Sequence, residues 1–340
     1  MYRIIRPLLF LLPPETAHKL AFRALALMKY IPFATRILRM LFSYKSSSLP
    51  RQVMGIDFPN PVGLAAGLDK NAEVYNQLGA LGFGFVEIGS VTLAPQEGNP
   101  KPRSFRLVKD KALINRMGIN NYGVKQIVRN IQRDKPNVII GGNISKNTLT
   151  PNDLAYKDFE KTFAQMYDYV DYFVINVSCP NVKDLSNLQT VDSLTAITRH
   201  LTEIRRYCDL YRPILLKVSP DLPTGTLDQV IELILLSGLD GIVACNSTVS
   251  REGLVTSGEK LEAIGEGGLS GAPLKEKVLS VIRYIHKKTD GNLPIIGVGG
   301  IMTPRDAKDM LDAGASLVQV YTGFIYEGPF FARKILKYIS

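Results

Sequence analysis

The sequence predicts an α/β fold, a (β/α)8 barrel with a short helical extension at its N terminus. Three observations predict it. Past residue 50 a strand, loop and helix rhythm recurs eight times along the 340-residue chain. Each candidate strand is apolar almost throughout, as strands covered on both faces must be. The first 45 residues stand apart, because they carry a surplus of basic side chains on apolar, helix-spaced segments. Residues 1–45 are therefore expected to form an arm, and residues 46–340 the barrel.

The arm comes first. Eight basic residues and one acid, Glu15, fall within residues 1–50, so this segment holds most of the formal net charge of +10. A basic catalytic body would suggest nucleic acid, and none is expected as a partner here. A basic, apolar arm suggests an anionic membrane surface. Pro7, Pro13, Pro14 and Pro32 interrupt the segment, so no transmembrane helix is expected. The stretch from Leu8 to Leu12 is too short for a signal peptide core. Pro13-Pro14-Glu15 reads as a helix start. Leu20, Phe22, Leu25, Leu27 and Met28 continue that helix, and Phe33, Ile37, Leu38, Leu41 and Phe42 mark a second. Residues 46–50 read as the hinge.

The eight strands are predicted at residues 62–66, 85–89, 138–142, 172–177, 214–218, 241–245, 295–298 and 317–321. Helices are predicted at 194–207, 226–237, 274–287, 304–313 and 329–338. Residues 53–58 and 105–114 read as hairpins added at the start and after the second strand. The composition, 46% apolar and 21% charged, is that of a globular protein. The three cysteines (Cys179, Cys208, Cys245) and three histidines (His18, His200, His286) are scattered, so neither a metal site nor a disulfide framework is expected, and a reducing intracellular setting fits.

In such a barrel, chemistry sits at the C-terminal ends of the strands. Those ends read Gly67, Asp69 and Lys70; Ser90; Asn143 and Lys146; Asn176 and Cys179; Lys217; Asn246 and Ser247; Gly299 and Gly300; Tyr321 and Thr322. Carboxylates are sparse and histidine is absent, which disfavours a glycosidase or a His-ligated metal. In Ile175-Asn-Val-Ser-Cys-Pro-Asn181 two amides bracket a thiol able to act as base or nucleophile. Lys217, inside Ile-Leu-Leu-Lys-Val, would lose several kcal/mol of hydration without an anion beside it, so a bound anionic ligand is expected. Three glycine-rich loops, at 267–271, 297–301 and 321–323, let backbone amides approach a phosphate. The asparagines 115, 143, 176, 181 and 246 suit a heterocycle that alternates carbonyl and N–H groups.

Gly63-Leu-Ala-Ala-Gly-Leu-Asp-Lys70, Asn115-Arg-Met-Gly118, Ile175-Asn-Val-Ser-Cys-Pro-Asn181, Lys217-Val-Ser-Pro-Asp221, Gly267-Gly-Leu-Ser-Gly-Ala-Pro273 and Ile295-Ile-Gly-Val-Gly-Gly-Ile301 resemble dihydroorotate dehydrogenase, in order and along essentially the whole chain. Leu12-Pro-Pro-Glu-Thr-Ala-His18 looks like the start of the arm in its quinone-dependent, membrane-associated class. The resemblance implies a TIM barrel that oxidises dihydroorotate to orotate in pyrimidine synthesis on bound FMN. It gives Cys179 the C5 proton while a hydride passes from C6 to the flavin N5, and Lys217 the charge at the flavin N1/O2 edge. Match of motif implies that Ala66, Gly67, Lys70, Ser90, Asn143, Asn176, Lys217, Cys245, Gly271, Gly300, Tyr321 and Thr322 line the FMN. Lys70, Asn115, Arg116, Met117, Gly118, Ile119, Asn176, Asn181, Asn246 and Ser247 would hold the substrate. Residues 180–189 would form a lid. The arm would make a quinone tunnel, with His18, Arg106 and Tyr321 near the head group, and would lie peripherally on the cytoplasmic face of the cell membrane.

One position departs from the pattern. The quinone-dependent class usually carries serine as its base and the soluble class cysteine, so Cys179 sits in a chain with the other class's arm. A thiol's unperturbed pKa of about 8.5 predicts activity persisting to lower pH than a serine enzyme allows. The alternative is a soluble dihydroorotate oxidase using fumarate or NAD. A flavin barrel acting on a 2-hydroxy acid would require a histidine at a strand end, and none lies there. A non-catalytic membrane-bound barrel would have no need of Cys179 and Lys217 together.

Overall fold

In the computed structural model, which describes residues 2–182 and 185–340, eight parallel strands close into a barrel in sequence order. They are β1 (Val62–Leu64), β2 (Phe85–Val91), β3 (Ile139–Ile144), β4 (Tyr172–Asn176), β5 (Ile214–Val218), β6 (Gly241–Ala244), β7 (Ile295–Val298) and β8 (Leu317–Val320). The order is sequential, with β8 pairing β1 through Val318 and Val62. All eight predicted strands form, shifted by up to two residues at their ends. Burial decides this: every residue of β1, β4, β5, β6, β7 and β8 is buried, whatever its polarity. Inward side chains fill the barrel in a second apolar cluster, with Phe85, Tyr172, Leu215, Ile296 and Leu317 at its heart. Gly63 makes room for it, since a Cβ there would lie 2.3 Å from the Phe85 ring.

The outer helices cover the barrel. Val191–Arg206, Thr224–Ser237, Lys275–Lys288, Pro304–Asp312 and Phe331–Ile339 lie within a few residues of their predicted spans. A capping box starts one of them: the Thr303 hydroxyl accepts from the Asp306 amide, and the Asp306 carboxylate accepts from the Thr303 amide at 2.7 Å. Lys275 ties the preceding helix to the same carboxylate at 2.7 Å and to Asp309 at 2.8 Å. That clamp fixes the loop after β7.

Both added hairpins are present. Arg51–Val53 with Ile56–Phe58 plugs the N-terminal end, where Phe58 meets Phe85 edge-on at 5.2 Å. Ser104–Leu107 with Ala112–Asn115 acquires a third strand, Gly268–Gly271, in a stretch expected to be a glycine-rich loop only. The reason is backbone satisfaction: Gly268–Gly271 runs antiparallel to Ala112–Asn115 and pairs its main chain there.

The arm holds three helices, α1 (Tyr2–Leu11), α2 (Pro14–Leu27) and α3 (Ala34–Phe42), where two were expected. Pro7 lies inside α1 and does not end it; Tyr2 and Arg6 tie the helix to the carbonyls of Ile325 and Tyr326. No helix of the described residues is long and apolar enough to cross a membrane.

Candidate active site

One deep cavity opens at the C-terminal mouth of the barrel, with about 1010 Å³ of space between its atoms, open solvent included. The strand rhythm makes it. Each strand turns its last inward residue and the loop behind it toward a common axis, so residues distant in sequence converge.

Most of the predicted residues line this cavity: Ala66, Gly67, Lys70, Ser90, Asn115, Met117, Gly118, Ile119, Asn176, Cys179, Asn181, Lys217, Cys245, Asn246, Ser247, Gly271, Gly300, Tyr321 and Thr322. Four do not. Asn143 lies behind Ser90, fully buried. Arg116 turns outward to the carbonyls of Ile264 and Glu266 and stacks on Phe105 at 4.7 Å, because the hairpin strand sends alternate side chains to opposite faces. His18 and Arg106 belong to the packing of the arm. Of the predicted lid, residues 183 and 184 lie outside the described residues; Leu185–Gln189 is a short 3₁₀ helix with Leu185 and Leu188 buried.

The amides form a wall of two hydrogen-bonded sets. Asn176 donates to Ser90 Oγ at 2.8 Å, Asn246 donates to Asn176 Oδ1 at 3.3 Å, and Asn181 donates to Asn115 Oδ1 at 3.0 Å. The Gly268 amide donates to Asn181 Oδ1 at 3.1 Å, and Asn99 donates to the Asn181 carbonyl at 3.0 Å. Cys179 sits in this wall. Burial pushes its thiol above the ordinary 9.0, while hydrogen bonds from Asn181 and the charge of Lys217 pull it back. The net rise narrows the advantage over a serine that the unperturbed value implies.

Lys217 is 6% exposed, and no carboxylate pairs with it among the described residues. Its charge also acts on Cys245, whose thiol burial drives well up. A cation left so in the interior requires an anion from elsewhere. At the other end of the site Lys70 donates to the Gly67 carbonyl at 2.7 Å. Burial and the nearby Arg103 bring Lys70 down to about 8. Asp69 holds the loop that presents it, accepting from the Glu73 and Val74 amides at 2.8 Å each, and burial raises Asp69 to about 6.

The residues fit a phosphorylated planar group such as FMN. Gly300, which lines the cavity, has φ +79°, and a Cβ there would lie 2.4 Å from Lys275 Cα, so only glycine lets this loop pack on the start of the Lys275–Lys288 helix. Ser270 and Thr322 hydroxyls meet at 2.9 Å beside it. Tyr321, with its phenol raised to about 12 by burial, closes the site toward Gly67. Lys217 supplies the cation, and the buried Gln319 Oε1 makes no hydrogen bond among the described residues.

Sequence reasoning missed Gln319, Ser270, Arg103 and Glu87. Gln319 and Glu87 carried a usable signal, the one that singled out Lys217: a polar residue inside an apolar strand. Arg103 carried none. It reaches Glu15 of the arm at 3.2 Å and the carbonyl of Asn99 at 3.0 Å.

The arm docks against the barrel beside this mouth. Arg106 lies 4.5 Å over the Phe10 ring and donates to the Leu12 carbonyl at 2.7 Å. His18 stacks on Phe22 at 4.1 Å, and burial together with the charge of Lys70 lowers it to about 3, so it is neutral at ordinary pH.

A parallel barrel that gathers a thiol, a buried lysine and an amide wall at its mouth defines an oxidoreductase of the (β/α)8 class. A family model described as dihydroorotate dehydrogenase matches residues 48–340. The chain is 48% identical to the dihydroorotate dehydrogenase (quinone) of Christiangramia forsetii, over 98% of this chain and 97% of that one. It is 45% identical to the enzyme of the same name from Coxiella burnetii, over 100% and 97%. A crystal structure of the Eimeria tenella enzyme in complex with ferulenol superposes with a TM-score of 0.86 at 34% identity, covering 96% of this chain and 90% of that one. This chain belongs to the dihydroorotate dehydrogenase family.

Proposed function

We propose that this protein oxidises (S)-dihydroorotate to orotate in pyrimidine biosynthesis and passes the electrons to a membrane quinone. The observation that carries the reading is Cys179 in an amide wall, across a cavity from an unpaired buried lysine. FMN, when bound, supplies the acceptor for the hydride from C6.

The chain's own residues do the rest. Lys70 neutralises the substrate carboxylate. Asn115, Asn176, Asn181 and Asn246 hold the ring by its carbonyl and N–H edges, with Met117, Gly118, Ile119 and Ser247 closing around it. The Cys179 thiolate takes the proton from C5. Lys217 would hold the negative charge that the bound cofactor gains on reduction. Ala66, Gly67, Ser90, Asn176, Cys245, Gly271, Gly300, Tyr321 and Thr322 hold the cofactor itself, with Asn143 acting through Ser90.

Residues 1–45 form the quinone arm. Neutral His18 offers a donor and an acceptor to a head group, with Arg106 and Tyr321 nearby. The exposed apolar side chains of the arm rest on the cytoplasmic face of the membrane. Quinone-named relatives matched over nearly their whole length support this over the soluble oxidase.

The test is to bleach the yellow protein with dihydroorotate under anaerobic conditions and then offer quinone, fumarate and NAD separately. Return of colour with quinone alone is expected. Return with fumarate or NAD would assign the soluble class, and no bleaching would remove the whole reading.

A further inference from the structure

Glu87 lies in the middle of β2, fully buried inside the barrel. Among the described residues no cation pairs with it. Both carboxyl oxygens instead accept an amide: Asn143 Nδ2 donates to Oε1 at 2.8 Å, and Gln319 Nε2 donates to Oε2 at 2.6 Å. The reaction as described makes no use of this group, and burying a carboxylate costs several kcal/mol.

The bonds beyond it run one way. Asn143, with its Nδ2 on Glu87, must turn Oδ1 toward Ser90, whose hydroxyl donates to it. Ser90 Oγ then has only acceptor capacity left, and Asn176 Nδ2 donates to it at 2.8 Å. Asn176 Oδ1 in turn accepts from Asn246 Nδ2 at 3.3 Å. A primary amide or a hydroxyl can be donor or acceptor, so Asn143 and Ser90 alone would be free to reverse, while at the far end the Ser178 amide also holds Asn176 Oδ1 as acceptor at 3.3 Å. A carboxylate with both oxygens accepting cannot donate, and it removes that freedom.

We infer that Glu87 is the positioning residue that sets the donor direction of the amide wall, so that Asn176 turns its remaining N–H into the cavity toward an acceptor edge of the bound heterocycle. Through Gln319 the same carboxylate fixes a second amide at the cavity floor, leaving its Oε1 as acceptor. This rests on the FMN reading above.

The test is a polarity swap in the holoenzyme. Glu87→Gln places a donor where two donors already point, so one neighbouring amide must turn. FMN binding should weaken between about tenfold and a hundredfold, as for loss of one hydrogen bond to a charged group. The visible flavin band and the flavin reduction potential should shift with it. Combining Glu87→Gln with Asn143→Asp moves the carboxylate one link along and restores every bond: residue 319 donates to 87, 87 to 143, and Ser90 to 143. The double variant should regain the band position, the potential and most of the affinity. A loss of packing alone would not be repaired in this way.

The inference is overturned if Glu87→Gln binds FMN with unchanged affinity and spectrum, or if the double variant is no better than the single one. If the single variant does not fold, a folded and yellow double variant supports the inference and a colourless one overturns it. A wild-type protein that binds no FMN would instead refute the functional reading, which is a separate outcome.

Discussion

Strand β5 and helix α3 handle charge and apolar surface in opposite ways. In β5 every residue is buried, Lys217 included. In α3 no residue is buried, and Ile37, Met40 and Leu41 are at least half exposed although the chain has a large core available. Each is costly on its own terms: a cation taken out of water without an anion, and apolar side chains left in water without cover. The same lesson follows from both. On the function proposed above, each segment is shaped for a partner that is not protein, a cofactor in one case and a lipid surface in the other. The barrel strands bury their apolar residues almost completely and bury Lys217 with them, without an ion partner among the described residues. The arm does the reverse: its polar ties to the barrel, such as Glu15 with Arg103 and Lys29 with Asp134 at 2.8 Å, are made, while nearly half of the exposed large apolar side chains among the described residues remain in its first 41 residues.

The comparison can be broken most sharply at the chemistry. Cys179→Ala should slow bleaching by dihydroorotate by about 10²- to 10⁴-fold, the worth of a positioned base, while the protein stays yellow. Stopped-flow reduction with a flavin assay checks both. In wild type the same rate should rise with pH on a limb lying above the ordinary thiol value of 9.0, because burial raises Cys179. A limb below that would show that the folded site favours the thiolate after all.

Lys217→Met tests the buried cation directly. FMN should bind between about tenfold and a hundredfold more weakly. The flavin-free protein should melt higher than flavin-free wild type, since an uncompensated charge has been removed. A lower melting temperature in the flavin-free variant would mean that the lysine is satisfied within the protein.

On the arm, replacing Leu8, Leu27 and Met40 together by glutamate should abolish co-sedimentation with anionic vesicles. These side chains are 65%, 64% and 74% exposed, so the melting temperature should move by no more than about 2 °C. A large fall would show that the arm packs on protein and not on lipid.

The smallest effect concerns Lys70. Near pH 8 it is partly deprotonated, because burial holds it at about 8. An anionic ligand favours its charged form, so orotate binding should take up a fraction of a proton there, and affinity should fall as pH rises through 8. Calorimetry in buffers of different ionisation heat reads this, and no uptake would place the carboxylate elsewhere.

The eight strands, most of the helices and most of the cavity lining were legible in the sequence. Strand burial, loop glycines and the residues at strand ends are local signals, and a parallel barrel brings strand ends to one rim by geometry alone. Lys217 was legible because a charge in a buried strand is anomalous by itself. Tertiary structure alone decided the remainder. Arg116 and Asn143 leave the cavity because strand alternation and a neighbouring carboxylate claim them. Gly268–Gly271 becomes a strand because a distant hairpin offers it partners, and α1 forms because the barrel gives Tyr2 and Arg6 the carbonyls of Ile325 and Tyr326. Sequence determines what each residue can exchange with its surroundings. Which hydrogen-bond donor meets which acceptor depends on chain segments hundreds of residues apart, and the direction of an amide is settled only where they meet.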